Sequence, residues 1–322
     1  MKVGPTTAAV ALSLCAAAMA SAQPVPPGQS VRTTISFAGV NVPSVDPSRS
    51  QNAASVTGVA NVPVYSYGFN ALVLGQTNIY TGMAAGRSAP TVAGFPPTGH
   101  GMLLTTNTSA AVTNSRVVGS SYSASSTALF SDGFIVTGIS QTPAFFDLVL
   151  RLQGTMSRSA ALTNVVSRIM LSAGPPAGPA SMLYTDTLGQ APLLNGVATG
   201  PALVNELTRN VDQTITYRVA VGAGGEPAAV ALALNSFSGI GTNGSVGLSA
   251  SATSNFGGLG MTLQGIAVRN AAGALILPGR FNFTTTSGID YTYLLIPAPG
   301  SAGVLIAAGL QAARRRRRRA AL

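Results

Sequence analysis

Apolar and polar residues alternate along several segments of this 322-residue chain, and this period of two limits its fold more than any other feature. In QTITYRVAV (213–221), Ile215 and Val219 fall on one side and threonines on the other. FFDLVLRL (145–152) and AAVALAL (228–234) repeat the pattern. Successive side chains of a strand point to opposite faces of its sheet, so each segment is predicted to be a half-buried β-strand.

Three details of this pattern give specific expectations. Within 145–152 the alternation places Asp147 on the solvent side of the strand. The apolar residues point inward on the other side: Phe146, Leu148, Leu150 and Leu152. In MTLQGIAVRN (261–270) the alternation changes phase at Gly265, which predicts a β-bulge there. RNAAGALIL (269–277) is predicted to form strand, turn and strand.

Helical patterns are scarce. PALVNELTRN (201–210) predicts one short helix, because Pro201 suits a first turn and Leu203 stands four residues before Leu207. LTNVVSRIML (162–171) fits either a strand or a helix. Since long helices do not alternate with the strands, a parallel α/β sheet is not expected.

The expected fold is therefore all-β: one antiparallel β-sandwich or jelly-roll-like domain over residues 31–295, after a short linker at 23–30. The proline-rich AGPPAGPA (173–180) leaves a subdivision near 174–180 as an alternative.

The net charge of +10 suggests a polyanionic partner until the charges are located. Seven of the 18 basic residues are Lys2 and a terminal run of six arginines. The rest of the chain therefore has eleven arginines and eight acidic residues. Nucleic-acid surfaces need clustered basic residues, often with aromatic side chains for stacking. The body has no such cluster and the chain has no Trp, so no nucleic-acid partner is expected.

The first 22 residues have the three parts of a secretory signal peptide: a positive start, a short apolar stretch and a small-residue cleavage site. Ala20 and Ala22 form that site, and Gln23 becomes the first mature residue. A lipoprotein signal ending at Cys15 and a buried N-terminal helix are the alternatives. Cleavage removes Cys15, the only cysteine, and with it disulfides and thiolate chemistry.

Residues able to carry catalysis are few. His100 is the only histidine and lies between glycines, where a loop residue is expected rather than a catalytic one. A glycosidase needs two carboxylates across a cleft, and eight are available: Asp46, Asp132, Asp147, Asp186, Glu206, Asp212, Glu226 and Asp290. Calcium binding at Asp132 or Asp186 is an alternative, but no EF-hand spacing supports it, and ordinary turn-forming aspartates are expected there. The glycine-rich GAGGEP (222–227) and GGLG (257–260) are expected to be turns, and no cofactor is predicted.

The C-terminal 27 residues, 296–322, combine three elements in order. Pro297, Ala298 and Pro299 form a rigid break, and residues 300–313 form a short apolar stretch expected to be a transmembrane helix. Six arginines end the segment: Arg314, Arg315, Arg316, Arg317, Arg318 and Arg319. By the positive-inside rule this run stays cytoplasmic and leaves the preceding domain outside.

This arrangement, behind a cleaved signal peptide, resembles the PEP-CTERM sorting domain. Pro297 and Pro299 match the two prolines of that signature, and Ala298 stands where the signature has Glu. The resemblance implies a membrane-embedded exosortase as processing enzyme, delivery to the cell envelope or exterior, and association with exopolysaccharide systems. A permanent membrane anchor is the alternative for the tail.

These features predict an exported, non-enzymatic protein with a structural or adhesive role at the cell surface or in the extracellular matrix. Two other functions stay open. The first is a carbohydrate- or exopolysaccharide-binding module. The second is a secreted hydrolase that uses a pair of carboxylates.

Overall fold

The computed structural model describes eleven segments of the chain: residues 28–39, 42–45, 48–53, 60–73, 76–89, 102–115, 120–138, 143–175, 179–221, 226–242 and 248–296. Within them the regular structure is antiparallel β-sheet with one 3-10 turn, Thr292–Leu294, and no α-helix. The expectation of an all-β fold is confirmed.

Ten strands form the larger sheet. They are β1 (Gly28–Gly39), β2 (Val42–Val45), β3 (Ser48–Ala53), β7 (Ser120–Thr137), β9 (Val165–Gly174), β10 (Ser181–Thr187), β11 (Leu193–Leu194), β12 (Val197–Ala198), β14 (Ala228–Thr242) and β16 (Asn282–Thr285). Their order is β12-β11-β10-β9-β14-β7-β1-β2, with β16 paired to β7 and β3 paired to β1.

Six strands form the smaller sheet. They are β4 (Ala60–Val73), β5 (Gln76–Ala89), β6 (Leu103–Ser115), β8 (Pro143–Arg158), β13 (Thr208–Ala220) and β15 (Leu248–Asn270), in the order β13-β8-β15-β6-β5-β4. Consecutive strands from β6 to β9 alternate between the two sheets, as do β13 to β16, so the chain repeatedly crosses from one sheet to the other.

One hydrophobic core is shared by the inner faces of both sheets. The predicted inward row of β8 (Phe146, Leu148, Leu150 and Leu152) is fully buried, and Val230, Leu232 and Leu234 of β14 are buried too. At one end of the core the ring of Phe134 lies 5.4 Å from that of Phe146 and 5.8 Å from that of Tyr291. The period-two pattern thus predicted these inner faces correctly.

The core also contains hydroxyl groups that join the two sheets. Thr108 of β6 bonds Ser238 of β14 at 3.0 Å, and Ser254 of β15 bonds Ser167 of β9 at 2.8 Å. Both bonds are buried, and hydroxyls of this kind are tolerated in a core when they find partners. Small side chains here also allow the sheets to approach closely.

β15 contains two irregularities, one of them predicted. Its pairing with β8 shifts between Leu263 and Gly265, which confirms the bulge expected at Gly265. A second shift lies between Asn255 and Gly260, so GGLG (257–260) is a bulge inside the strand rather than a turn between strands. Gly260 has φ +54° there, and a Cβ would lie 2.1 Å from the Leu104 carbonyl oxygen.

The short helix predicted over 201–210 is wrong. Residues 201–207 are irregular with one turn at 204–205, and β13 begins at Thr208. Arg158 explains the difference, because its guanidinium donates to the carbonyl oxygens of Val204 and Glu206. A helix would need those carbonyls for its own hydrogen bonds.

Other boundaries differ in detail from the sequence pattern. The ambiguous segment 162–171 contains the start of β9. β1 begins at Gly28, inside the stretch predicted as a linker. The strands on either side of the proline-rich 173–180, β9 and β10, are neighbours in one sheet. After β15, a turn with Gly273 at φ +81° brings Leu275 back into a bridge with Arg269.

The predicted signal peptide, 1–22, and sorting tail residues, 297–322, lie outside the described residues. Among those described, no helix has the length and apolar character needed to cross a membrane.

Candidate functional site: the outer face of the six-stranded sheet

The outer face of the six-stranded sheet presents polar side chains in rows that cross its strands. The rows arise because β13, β8, β15 and β6 pair in register, so outward residues of neighbouring strands stand side by side. Neighbouring strands are about 4.8 Å apart, which sets the spacing within a row. One half of this face is uncharged and the other half carries ion pairs.

Two rows make up the uncharged half, and we call them the amide–hydroxyl rows. The first contains Asn210, Thr155, Asn255 and Asn107, and the second contains Thr208, Ser157, Thr253 and Ser109. Each row runs over four strands and offers both hydrogen-bond donors and acceptors.

Several groups in the amide–hydroxyl rows keep bonding capacity free. Asn210, Thr155 and Asn255 are exposed, whereas the side-chain oxygen of Asn107 is buried and has no hydrogen-bond partner in the described part of the chain. Thr253 contacts Ser109 at 3.5 Å, a long bond. This half of the face is therefore suited to hydrogen bonding with a polar, uncharged ligand.

The charged half is organised around Asp147 of β8. The side chain lies on the outer face as predicted, but it is only 4% exposed because arginines cover it. Arg218 donates to Oδ1 from its Nε at 2.8 Å, and Arg269 donates to Oδ2 at the same distance. Asp147 is therefore a buried anchor rather than the solvated residue expected from the pattern.

Electrostatics in this cluster favour the ionised carboxylate. Burial alone raises the pKa of Asp147, but the hydrogen bonds and charges of Arg218 and Arg269 outweigh it and hold the pKa below its ordinary value. The Arg218 guanidinium also lies 4.0 Å from the centre of the Phe145 ring, a cation–π contact. With two arginines on one aspartate, the cluster has a net positive charge.

A second ion-pair cluster ties β10 to the start of β13. Arg209 binds both Asp186 and Glu206, with its Nε 2.9 Å from one Glu206 oxygen. Tyr184 donates to Asp186 at 3.0 Å, and burial raises the pKa of that tyrosine well above its usual range.

These two acids do not have the geometry of a glycosidase pair. Asp186 and Glu206 are close together, but both accept hydrogen bonds from the guanidinium of Arg209 that lies between them. A hydrolytic pair needs its two carboxyl groups facing a substrate across a cleft. This arrangement is that of a structural ion-pair network joining β10 to β13.

Asp132 forms a third buried site, where β7 meets the segment after β16. Its carboxylate accepts from the Gly133 amide at 2.8 Å, from Thr286 Oγ1 at 3.0 Å and from Ser287 Oγ at 2.6 Å. Burial is the larger influence and raises the pKa of Asp132 despite these bonds. We call this group the Asp132 clasp.

Asp132 and Asp186 both lie inside strands, so neither is the turn residue expected from the sequence. No group of three or more metal-ligating side chains occurs among the described residues. Pattern reasoning missed the arginines that pair with Asp147 and Asp186, which are Arg218, Arg269 and Arg209. In a chain with 8% charged residues, each charge inside a predicted strand was a signal of pairing that could have found them.

The residues of the predicted sorting signal and of the cleavage site lie outside the described residues: Pro297, Ala298, Pro299, Arg314 to Arg319, Ala20, Ala22 and Gln23. His100 lies outside them as well.

The described chain ends at Ile296, whose amide donates to the Ile266 carbonyl of β15 at 2.9 Å. The side chain of Ile296 lies over Gly265, where a Cβ would be 2.9 Å away. The predicted tail, 296–322, therefore begins with a residue that is attached to the sheet.

No protein-family model and no curated protein matches this chain. A search of solved structures found the VP2 subviral particle of infectious bursal disease virus, 12% identical, covering 90% of this chain and 73% of that chain with a TM-score of 0.13. The structure of the Gx strain of that virus is 13% identical, covers 87% of this chain and 68% of that chain, and also has a TM-score of 0.13. TM-scores this low carry no argument about fold or function.

Proposed function

We propose that this chain is an exported, non-enzymatic β protein that is delivered to the cell surface or extracellular matrix through its C-terminal tail. The observation that carries the proposal is the combination of a signal-peptide pattern at 1–22 with the Pro297-Ala298-Pro299, apolar and arginine elements at the other end. The attachment of Ile296 to β15 supports it, because a processing signal would then begin where the folded domain ends.

The finer fold is part of this proposal: eight of the strands from β6 onward, which are β6 to β10 and β13 to β15, form a jelly roll. Two four-stranded orders support it, β6-β15-β8-β13 in one sheet and β7-β14-β9-β10 in the other. They are the two orders of a double-sheet jelly roll, in which the first of the eight strands pairs with the last, here β6 with β15. The remaining strands extend both sheets at their edges.

Mass spectrometry of the mature protein tests the export proposal. The expected N-terminus is Gln23, and the expected C-terminus lies before Arg314 in a surface or extracellular fraction. Replacing the six arginines by serines should leave the chain unprocessed or misplaced, whereas Arg280→Ser in the body should not. Full-length protein with both ends intact in the cytosol would overturn the proposal.

A second function, binding of a neutral polysaccharide, is favoured by the amide–hydroxyl rows. Their exposed amides and hydroxyls match the bonding groups of sugars, and the charged half of the face lies beside them. We expect the Asn210→Ala, Thr155→Ala, Asn255→Ala triple variant to lose retention on exopolysaccharide. Thr137→Ala, an exposed threonine of the other sheet, is the matched control. Equal retention of the wild-type protein, the triple variant and the Thr137→Ala control would contradict this function.

A further inference from the structure

β13 is an edge strand over its whole length. It pairs with β8 from Thr208 to Ala220 without a shift in register, and no strand in the described part of the chain pairs with its other side. Its unpaired backbone groups therefore form a regular row of donors and acceptors. An edge of this kind is a template for adding another strand.

Several common protections of an edge are missing from β13. Between Thr208 and Ala220 there is no proline, glycine, lysine or bulge. The charged residues on its outer side are Asp212 and Arg218. They have opposite signs, and each stands three residues from Ile215 in the sequence, one before it and one after it. A strand with this symmetry can complement itself, which a strand with like charges cannot.

The positions of these charges select one register. When two copies of β13 pair antiparallel with Ile215 opposite Ile215, Asp212 of each copy faces Arg218 of the other. A shift of two residues in either direction places Asp212 opposite an uncharged residue. Opposite charges that face each other across an antiparallel pair stabilise it, and like charges destabilise it.

We propose that β13 is the surface at which a second copy of this chain adds its own β13, in the register centred on Ile215, to join two six-stranded sheets about a two-fold axis. Pairing of identical edges by a two-fold axis closes the assembly as a dimer.

The existing ion pairs extend across this junction. Arg151 already binds Asp212 through two hydrogen bonds of 2.9 and 3.0 Å, and Arg218 already binds Asp147. In the dimer a row of alternating charges crosses the junction: Arg151 and Asp212 of one copy are followed by Arg218 and Asp147 of the other. The two-fold axis produces this row twice. On the inner side the half-buried Val219 gains Val211 of the second copy as a neighbour.

Disulfide trapping tests both the pairing and its register. Thr214→Cys and Thr216→Cys are made in separate full-length chains that also carry Cys15→Ser, so that each has one cysteine. Both threonines are exposed, and circular dichroism checks that each variant folds. Mixed and oxidised, the two variants should form the 214–216 product several times faster than either like-with-like product.

Thr208→Cys mixed with Thr216→Cys is the matched control, because these positions do not face each other in the proposed register. A 208–216 product as fast as the 214–216 product, or no crosslinked product at all, would overturn the proposal. The second result would arise if another segment of the same chain covered β13.

Charge reversal gives an independent measurement. Asp212→Lys places two lysines opposite two arginines in the dimer, and we expect its dissociation constant in sedimentation to rise about tenfold or more. Asp290→Lys makes the same charge change at another exposed site and should leave the dissociation constant unchanged. A wild-type chain that sediments as a monomer at all concentrations would contradict the proposal.

Discussion

At the scale of single residues, the buried aspartates Asp132 and Asp147 differ in what surrounds them. Arginines neutralise Asp147, whereas backbone amides and hydroxyls without charge solvate Asp132. Their pKa values consequently shift in opposite directions from the ordinary value of 3.8. The two residues should therefore give stability profiles with opposite dependence on pH.

For Asp147 the folded pKa is lowered, so its contribution to stability is fully present above pH 3.8 and is lost as the pH falls through the folded pKa. We expect Asp147→Asn to reduce the free energy of unfolding by about 2 kcal/mol at neutral pH, because two charge-assisted hydrogen bonds are lost. The difference should shrink near pH 3 in urea unfolding. Asp212→Asn, in an exposed ion pair, should have a smaller effect.

For Asp132 the folded pKa is raised, so its contribution is fully present below pH 3.8 and is lost as the pH rises through the folded pKa. Asp132→Asn does not titrate. Wild-type protein should accordingly lose stability relative to this variant in urea unfolding as the pH rises from 3.8 through the folded pKa. A difference that stays constant over this range would show that the carboxyl group keeps one protonation state throughout.

These clusters also mark how far sequence reasoning reaches into the candidate site. The period of two placed Asp147 on the outer face, as the structure has it, and the same alternation puts Arg218 of the neighbouring strand there. It did not reveal that Asp147 is buried, because that depends on Arg269, which is distant in sequence and adjacent only through the pairing of β8 with β15. Charge partners on separate strands follow from topology, which alternation alone does not determine.

At the scale of elements, alternation predicted the strands well where side chains on one face enter the core, as in β8 and β14. Helical spacing gave a wrong prediction at 201–210, where Leu203 and Leu207 stand four residues apart but are exposed. The competing influence was Arg158, which takes backbone carbonyls that a helix would use. Such a long-range hydrogen bond leaves no trace in local periodicity.

The glycine bulge of β15 makes a sharp prediction at this scale. Gly260→Ala should cost at least about 3 kcal/mol, because the residue has φ +54° and its Cβ would lie 2.1 Å from the Leu104 carbonyl oxygen. Gly258→Ala is the matched control two residues earlier, since its Cβ would meet nothing within 4 Å. Thermal unfolding of the two variants gives the comparison, and equal midpoints would mean that the bulge adapts.

At the scale of the whole molecule, the final described residues complete the core. Tyr291 is 1% exposed and packs against Phe134, and Leu294 and Leu295 contact the core. A chain that stops after Asp290 should therefore be about 3 to 5 kcal/mol less stable than one that stops after Ile296, the cost of losing a large buried side chain. Urea unfolding measures the difference. A loss below 1 kcal/mol would place the end of the folded unit earlier in the chain.

The attachment of Ile296 to β15 determines how the domain responds to a mechanical load. Tension applied at the C-terminal end reaches the bond between Ile296 and Ile266 first, then the 3-10 turn, and then the Asp132 clasp. These contacts lie one after another along the chain, so they open in sequence rather than sharing the force. The C-terminal segment would thus detach before the central strands unfold. Its detachment would lengthen the chain under load and leave the rest of the fold intact.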